Sequence, residues 1–423
     1  MKFRINKFIF AITLALVSTS LWAGGALDTS FNGFGKKAVV FTTATSEASS
    51  VIKQSDGKLF VAGNAGSNMA VVRLNADGSL DTTFSGTGKK TVVFTGLANE
   101  TRSAIQQSDG KLVVAGDTYD AAIGFSTCNM ALVRLNTDGS LDTTFNTYGK
   151  KTIDFGGNED IAYSVIQQND GKLVVAGRTR NSTASNMALV RLNTDGSLDS
   201  TFNGTGKKTV VFTSLNGIAY SVIQQGDGKL VIVGDTFSST TSSNNITLVR
   251  LNTDGSLDTT FNGNGKKTVI FTSGNAYTGG AILQSDGKLV VAGDTYDSTT
   301  SSENMALARL NTDGSLDTTF DGYGKKTIDF GGNEDYAWSM IQQNDGKLVI
   351  AGETMNSTSS ANMALVRLNT NGSLDTTFDG DGKKTVIFTG LSSIASSVIQ
   401  QGDGKLVVAG NAGGNMAVVR LLP

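Results

Sequence analysis

The string Leu-Asp, then two Thr or Ser residues, then Phe occurs seven times, starting at Leu27, Leu80, Leu141, Leu198, Leu257, Leu316 and Leu374, at intervals of 53 to 61 residues. Repetition at such a period restricts the chain to a solenoid, a propeller or an array, because one repeat cannot bury its apolar face alone and must stack on its neighbours. A chain of 423 residues, which by length would suggest about two or three domains, therefore reads as one repeated unit.

Four short strand signals separated by Gly, Asn and Asp fill each period. In one copy they are Ser164–Gln168, Lys172–Gly177, Met187–Asn193 and Lys207–Phe212. Asn169-Asp170-Gly171 marks a tight hairpin, whose turn needs positive φ, so the 51 glycines read largely as turn chemistry. The two middle strands are continuous apolar runs, as expected of strands buried on both faces. Paired Lys207 and Lys208 open the last strand, which suits an exposed edge that must not recruit another strand.

A four-stranded sheet repeated radially and covered by its neighbours is a β-propeller. The chain opens on an outer strand, Lys36–Phe41, with no inner strands before it, and stops at Met416–Leu422, a third strand with no outer strand after it. The expectation is all-β: a single seven-bladed propeller over residues 24–423, its ring closed by the N-terminal strand completing the last blade. The alternative, an open solenoid, would need capping segments. The segment Lys151–Asp160 returns as Lys326–Asp335, which points to a copied three-blade block.

The run Gln-x-Asp-Gly-Lys-Leu-Val-Val-Ala-Gly followed by Met-Ala-Leu-Val-Arg-Leu-Asn-Thr-Asp-Gly-Ser-Leu-Asp-Thr-Thr-Phe resembles the delta-60 repeat family of bacterial β-propellers, from Leu27 to Leu422. The resemblance implies a propeller in exported bacterial proteins and carries no known activity or catalytic residues. Residues 1–23 have the layout of a signal peptide: Lys2, Arg4 and Lys7, an apolar run from Phe8 to Val17, then a segment ending at Ala23. The mature chain is expected outside the cytoplasm, secreted, periplasmic or extracellular, as a monomer without a membrane-spanning segment.

No His is present, which removes Ser-His and Cys-His nucleophile pairs and the commonest metal ligand, and a lone Cys128 excludes an intrachain disulfide. Charges repeated in every copy read as scaffold. The series Arg73, Arg134, Arg191, Arg250, Arg309, Arg367 and Arg420 matches the Leu-Asp series in number and is expected to pair with it. Unique charges fall on one face, at the second-to-third-strand loops and the connections between blades. There Glu47, Glu100, Asp117, Asp120, Glu159, Asp160, Asp235, Asp294, Asp297, Glu303, Glu334, Asp335 and Glu353 outnumber Arg102, Arg178 and Arg180. Such a surface disfavours nucleic acid and attracts cations or basic surfaces.

Aromatic residues that break the repeat, Tyr119, Phe125, Tyr163, Tyr220, Tyr277, Tyr296, Tyr336 and Trp338, lie in or beside the same segments and could stack on sugars, anchor a protein or simply pack. The residues singled out for ligand binding are Tyr119, Asp120, Glu159, Asp160, Arg178, Arg180, Tyr296, Asp297, Glu334, Asp335 and Trp338. Asn158-Glu159-Asp160 and Asn333-Glu334-Asp335 offer hard oxygen ligands of the kind calcium takes, without the spaced calcium-loop pattern; otherwise no metal or cofactor is expected. The reading is a non-catalytic binding scaffold for a protein or glycan at or beyond the cell envelope. A lectin-like propeller and a carboxylate glycosidase, which needs no His, are the alternatives.

Overall fold

The computed structural model describes residues 24–423 apart from 42–44, 95–96, 120–127, 213–215, 239–241, 272–273, 333 and 356–359. Residues 1–23, expected to be a signal peptide, together with Asp120 and Phe125 lie outside these residues. The described residues form strands and turns, without a helix long and apolar enough to cross a membrane.

Seven antiparallel sheets of four strands follow one another. Their first strands are Ser46–Lys53, Ala98–Gln106, Glu159–Gln167, Gly217–Gln224, Ala276–Leu283, Glu334–Gln342 and Ser393–Gln400, which define sheets one to seven. Each first strand contacts the first strands of its neighbours, and Ser46–Lys53 contacts both Ala98–Gln106 and Ser393–Gln400. These are the inner strands. Sheet seven takes as its outer strand Lys36–Val39, paired antiparallel with Asn415–Leu421. A single parallel contact, Glu303 with Glu334, joins sheets five and six at their edge.

Apolar clusters lie between successive sheets. Val174, Leu189 and Ile232 pack between sheets three and four, and Val61, Val72, Ala409 and Val418 between sheets one and seven. The middle strands Leu173–Arg180 and Ser185–Leu192 supply side chains to both of their faces, which is why they read as unbroken apolar runs.

Polar joints then lock each sheet to the next. The expected Arg–Asp pairing is present in all seven copies: Arg191 Nε donates to Asp199 Oδ2 at 2.6 Å, and the guanidinium lies 4.8 Å from the Phe202 ring. Its Nη1 reaches Thr253 O of the following sheet at 2.5 Å. Asp199 also holds Lys172 at 3.1 Å. Burial alone would raise this carboxyl, but Thr201, Lys172 and Arg191 together hold it well below the carboxylate range. The paired lysines do more than guard an edge. The first of each pair reaches back to a main-chain carbonyl at the end of the preceding outer strand, as Lys266 does to Val211 O at 2.9 Å, over the Phe212 ring at 4.4 Å.

Not every glycine serves a turn. In each inner strand one residue bulges out of register, Tyr163 in sheet three, between Ala162 and Ser164. Opposite it stands Gly177, where a Cβ would come within 1.8 Å of Ile161 O. Glycine there lets the bulged strand lie against its partner.

Candidate functional site

The bulge positions are Ser49, Arg102, Tyr163, Tyr220, Gly279, Trp338 and Ser396. They touch in series. Ser49 Oγ donates to Thr101 O at 2.8 Å, the Arg102 guanidinium lies 5.5 Å from the Tyr163 ring, and Tyr163 meets Tyr220 edge-on at 4.9 Å. At Gly279 a Cβ would fall 1.7 Å from Ala337 O, so the lack of a side chain admits the Trp338 strand. The copies diverge here because the bulge projects its side chain away from the repeated core.

Sequence reasoning placed the variable acids on loops. Most instead lie at the ends of strands, because main-chain pairing continues past the repeated core: Arg178, Thr179 and Arg180 pair with Met187, Asn186 and Ser185. Glu159, Asp160, Glu334 and Asp335 are likewise in inner strands.

The variable face is electrostatically divided. In sheets two and three the three arginines are consumed internally. Glu159 holds Arg178 at 2.5 Å and Arg180 at 2.9 Å, while Arg102 pairs with Glu100 and stands 3.6 Å from Asp117. Three predicted residues, Glu159, Arg178 and Arg180, are thus brought together as an ion-pair cluster.

Sheets four to six hold carboxylates without such cations. Asp235, Asp294 and Glu353 occupy equivalent positions of the second strands, each buried to 95% or more. Asp235 accepts the Thr278 N–H at 2.8 Å and Glu353 the Trp338 Nε1–H at 3.1 Å, leaving Asp235 Oδ2 and Glu353 Oε2 unpartnered. Asp294 Oδ2 and Glu303 Oε2 are also buried without a hydrogen-bond partner. Burial pushes the Asp235 carboxyl up to about 7. Burial, with Glu303 and Asp235 nearby, pushes Asp294 up to about 8. Burial and the charge of Glu334 raise Glu303.

The open side of this sector is aromatic. Trp338, 41% exposed, stacks on Tyr336 at 5.8 Å with 27° between the rings, and Tyr336 donates to Glu334 at 3.0 Å. Tyr277 is exposed and bonded to Asn244. A separate polar cleft of about 220 Å³ on the same face is lined by Glu47, Asn64, Glu100, Tyr119 and Asn411.

The remaining predicted residues play local parts. Asp160 and Asp335 turn inward and accept the N–H of Phe155 and Phe330 at 2.5 and 2.7 Å, holding their own Gly-Gly turns. Asp297 accepts the Thr299 N–H at 2.8 Å, and Tyr296 stands opposite Glu303. Asn333 of the second proposed calcium turn lies outside the described residues; among the described residues no three His, Cys, Asp or Glu side chains are placed to hold a metal. The site list passed over Asp235, Asp294, Glu303 and Glu353. Their signal was present: acids in second or third strands where other copies carry Asn, Ser or Ala.

Radial four-stranded sheets with apolar interfaces define a β-propeller. The chain belongs to the family described as Domain of unknown function (DUF5122) beta-propeller, which matches residues 54–84, 107–145, 168–202, 225–261, 284–320, 343–378 and 401–423. No curated protein matches it in sequence. Among solved structures, a polysaccharide lyase, an ulvan lyase, is 12% identical with a TM-score of 0.55, over 91% of this chain and 96% of the lyase. A catalytically inactive virginiamycin B lyase from Staphylococcus aureus, solved with quinupristin, is 10% identical with a TM-score of 0.50, over 92% of this chain and 99% of that one. At these identities the likeness is one of fold.

Proposed function

We propose that the protein is an exported, non-catalytic propeller of delta-60 repeats, its seven blades closed into a ring by the N-terminal strand, which binds a partner through the acidic and aromatic sector of sheets four to six. The observation that carries this reading is a contrast. Each scaffold Asp of the Leu-Asp series is paired with an Arg, whereas buried Asp294 and the buried Oε2 of half-buried Glu303 have no cation beside them. Buried charge without a partner costs stability, and such residues are retained where function needs them. Ring closure is supported by the pairing of Lys36–Val39 with Asn415–Leu421 and by the apolar cluster between sheets one and seven.

The exposed Trp338–Tyr336 stack favours a second reading, a lectin, since sugars stack on such faces. Binding of defined glycans and of envelope proteins, compared between the wild type and Asp294→Asn/Glu353→Gln/Trp338→Ser, tests both. Loss of a wild-type ligand in the variant is expected; an unchanged ligand set contradicts the assignment of this sector.

A further inference from the structure

Resting on the reading of the variable face as a binding surface, we infer that the sector of sheets five and six takes an alkylammonium group, held by Glu303, Glu334 and Asp294 against the Trp338–Tyr336 stack.

Proximity is the first ground. Glu303 and Glu334 stand opposite each other at a parallel strand pairing between these sheets. Glu303 and Asp294 are near charges of the Tyr277 hydroxyl and also of the Tyr336 hydroxyl, so the carboxylates and both phenols share one neighbourhood. The second ground is independent of the cluster's acidity: Asp294 is 3% exposed, and its Oδ2, like Glu303 Oε2, is buried with no hydrogen-bond donor. Such oxygens call for a donor supplied from outside the chain.

The kind of cation follows from the walls. A hard metal ion needs several oxygens converging on one point, which the described side chains do not provide. An ammonium brings three N–H donors that can serve separate carboxylates, and its alkyl stem and charge are favoured at an aromatic face. The electron-rich faces of Trp338 and Tyr336 border this sector, Trp338 being anchored through Nε1 to Glu353. The same chemistry is carried by a free polyamine and by lysine side chains of a partner polypeptide.

The repeat supplies substitutions the scaffold already bears. Equivalent positions hold Asn64 and Asn411 for Asp294, Ser67 and Ser185 for Glu303, and Ser49 and Ser396 for Trp338. Spermidine and a tetralysine peptide, titrated calorimetrically at low salt into the full chain, are expected to bind at one site. Asp294→Asn/Glu303→Ser should weaken binding at least tenfold and Trp338→Ser several-fold, while Glu159→Gln, in the compensated sector, leaves it unchanged. The tighter probe identifies the source of the ammonium. No binding of either probe, an equal loss in Glu159→Gln, or displacement of both by calcium at matched ionic strength would overturn the inference. If glycans or envelope proteins depend on this sector while neither probe binds, the ammonium class is wrong and the binding surface stands. If nothing depends on it, both readings fall.

Discussion

Asp28 accepts a hydrogen bond from Arg420 Nε at 2.7 Å although 392 positions separate them. Elsewhere the same joint is local, with Arg191 and Asp199 only eight residues apart. Both ends of the chain also share two other repeated contacts: Lys36 reaches Ile387 O at 2.6 Å, and the Val51 N–H donates to Ser397 Oγ at 3.1 Å. The last sheet is thus held by the interactions that hold the rest.

Removing either arginine leaves a buried aspartate with one lysine, one hydroxyl and one main-chain N–H, and no guanidinium. Arg191→Ala and Arg420→Ala are each expected to cost about 2–4 kcal/mol in denaturant unfolding. A silent Arg420→Ala beside a costly Arg191→Ala would mean that the N-terminal segment contributes nothing to the last sheet.

Stability should fall as pH rises through neutrality. A buried carboxyl whose folded value is raised, as for Asp235 to about 7 and Asp294 to about 8, favours the folded state fully below its ordinary value of 3.8 and loses that contribution as pH climbs to the raised value. The scaffold aspartates, Asp199 among them, are shifted the other way and weaken the fold only as pH drops below about 4. The melting midpoint is therefore expected to be higher at pH 5.5 than at pH 8.5, with the slope reduced in Asp294→Asn. A midpoint that rises over this interval would contradict the burial of these acids.

Gly279→Ala should be among the more damaging small substitutions. Its Cβ would collide with the main chain at Ala337, and backbone cannot swing aside as a side-chain tip can. A loss of about 2–4 kcal/mol is expected, with a changed emission from the adjacent Trp338. Unaltered stability and fluorescence would show that the two inner strands are not in close approach.

Lys266→Met removes a bond to a neutral carbonyl and a contact with the Phe212 ring. About 0.5–1 kcal/mol should be lost, and the loss should vary little with salt because no opposite charge is involved. A strong salt dependence would indicate an ionic partner instead.

Much of this architecture is legible because the repeat compares the chain with itself. Period, strand order, apolar middle strands and the Arg191–Asp199 type of joint all follow from spacing. The Lys266 clasp and the Glu159–Arg178–Arg180 cluster were not, since they depend on distances between strands that spacing does not contain. The inner-strand bulge was missed for another reason. Its mark is Gly177, a glycine inside an apolar strand, which was absorbed into turn chemistry although glycine there signals close backbone approach. Asp294 and Glu303 stood out as exceptions, but the buried oxygens they hold without a donor became visible only when the sheets were brought together.

The central claim is that repeated residues make the scaffold and exceptional residues are kept for binding at some cost to it. Thermal unfolding of Asp294→Asn/Glu303→Ser, with each position returned to a residue type found in other sheets, tests it most directly. The account expects a midpoint at or a few degrees above that of the wild type at pH 8, since buried charges without partners are removed. A midpoint lowered as far as that of Arg191→Ala would show that these residues hold the fold together, and would contradict the claim.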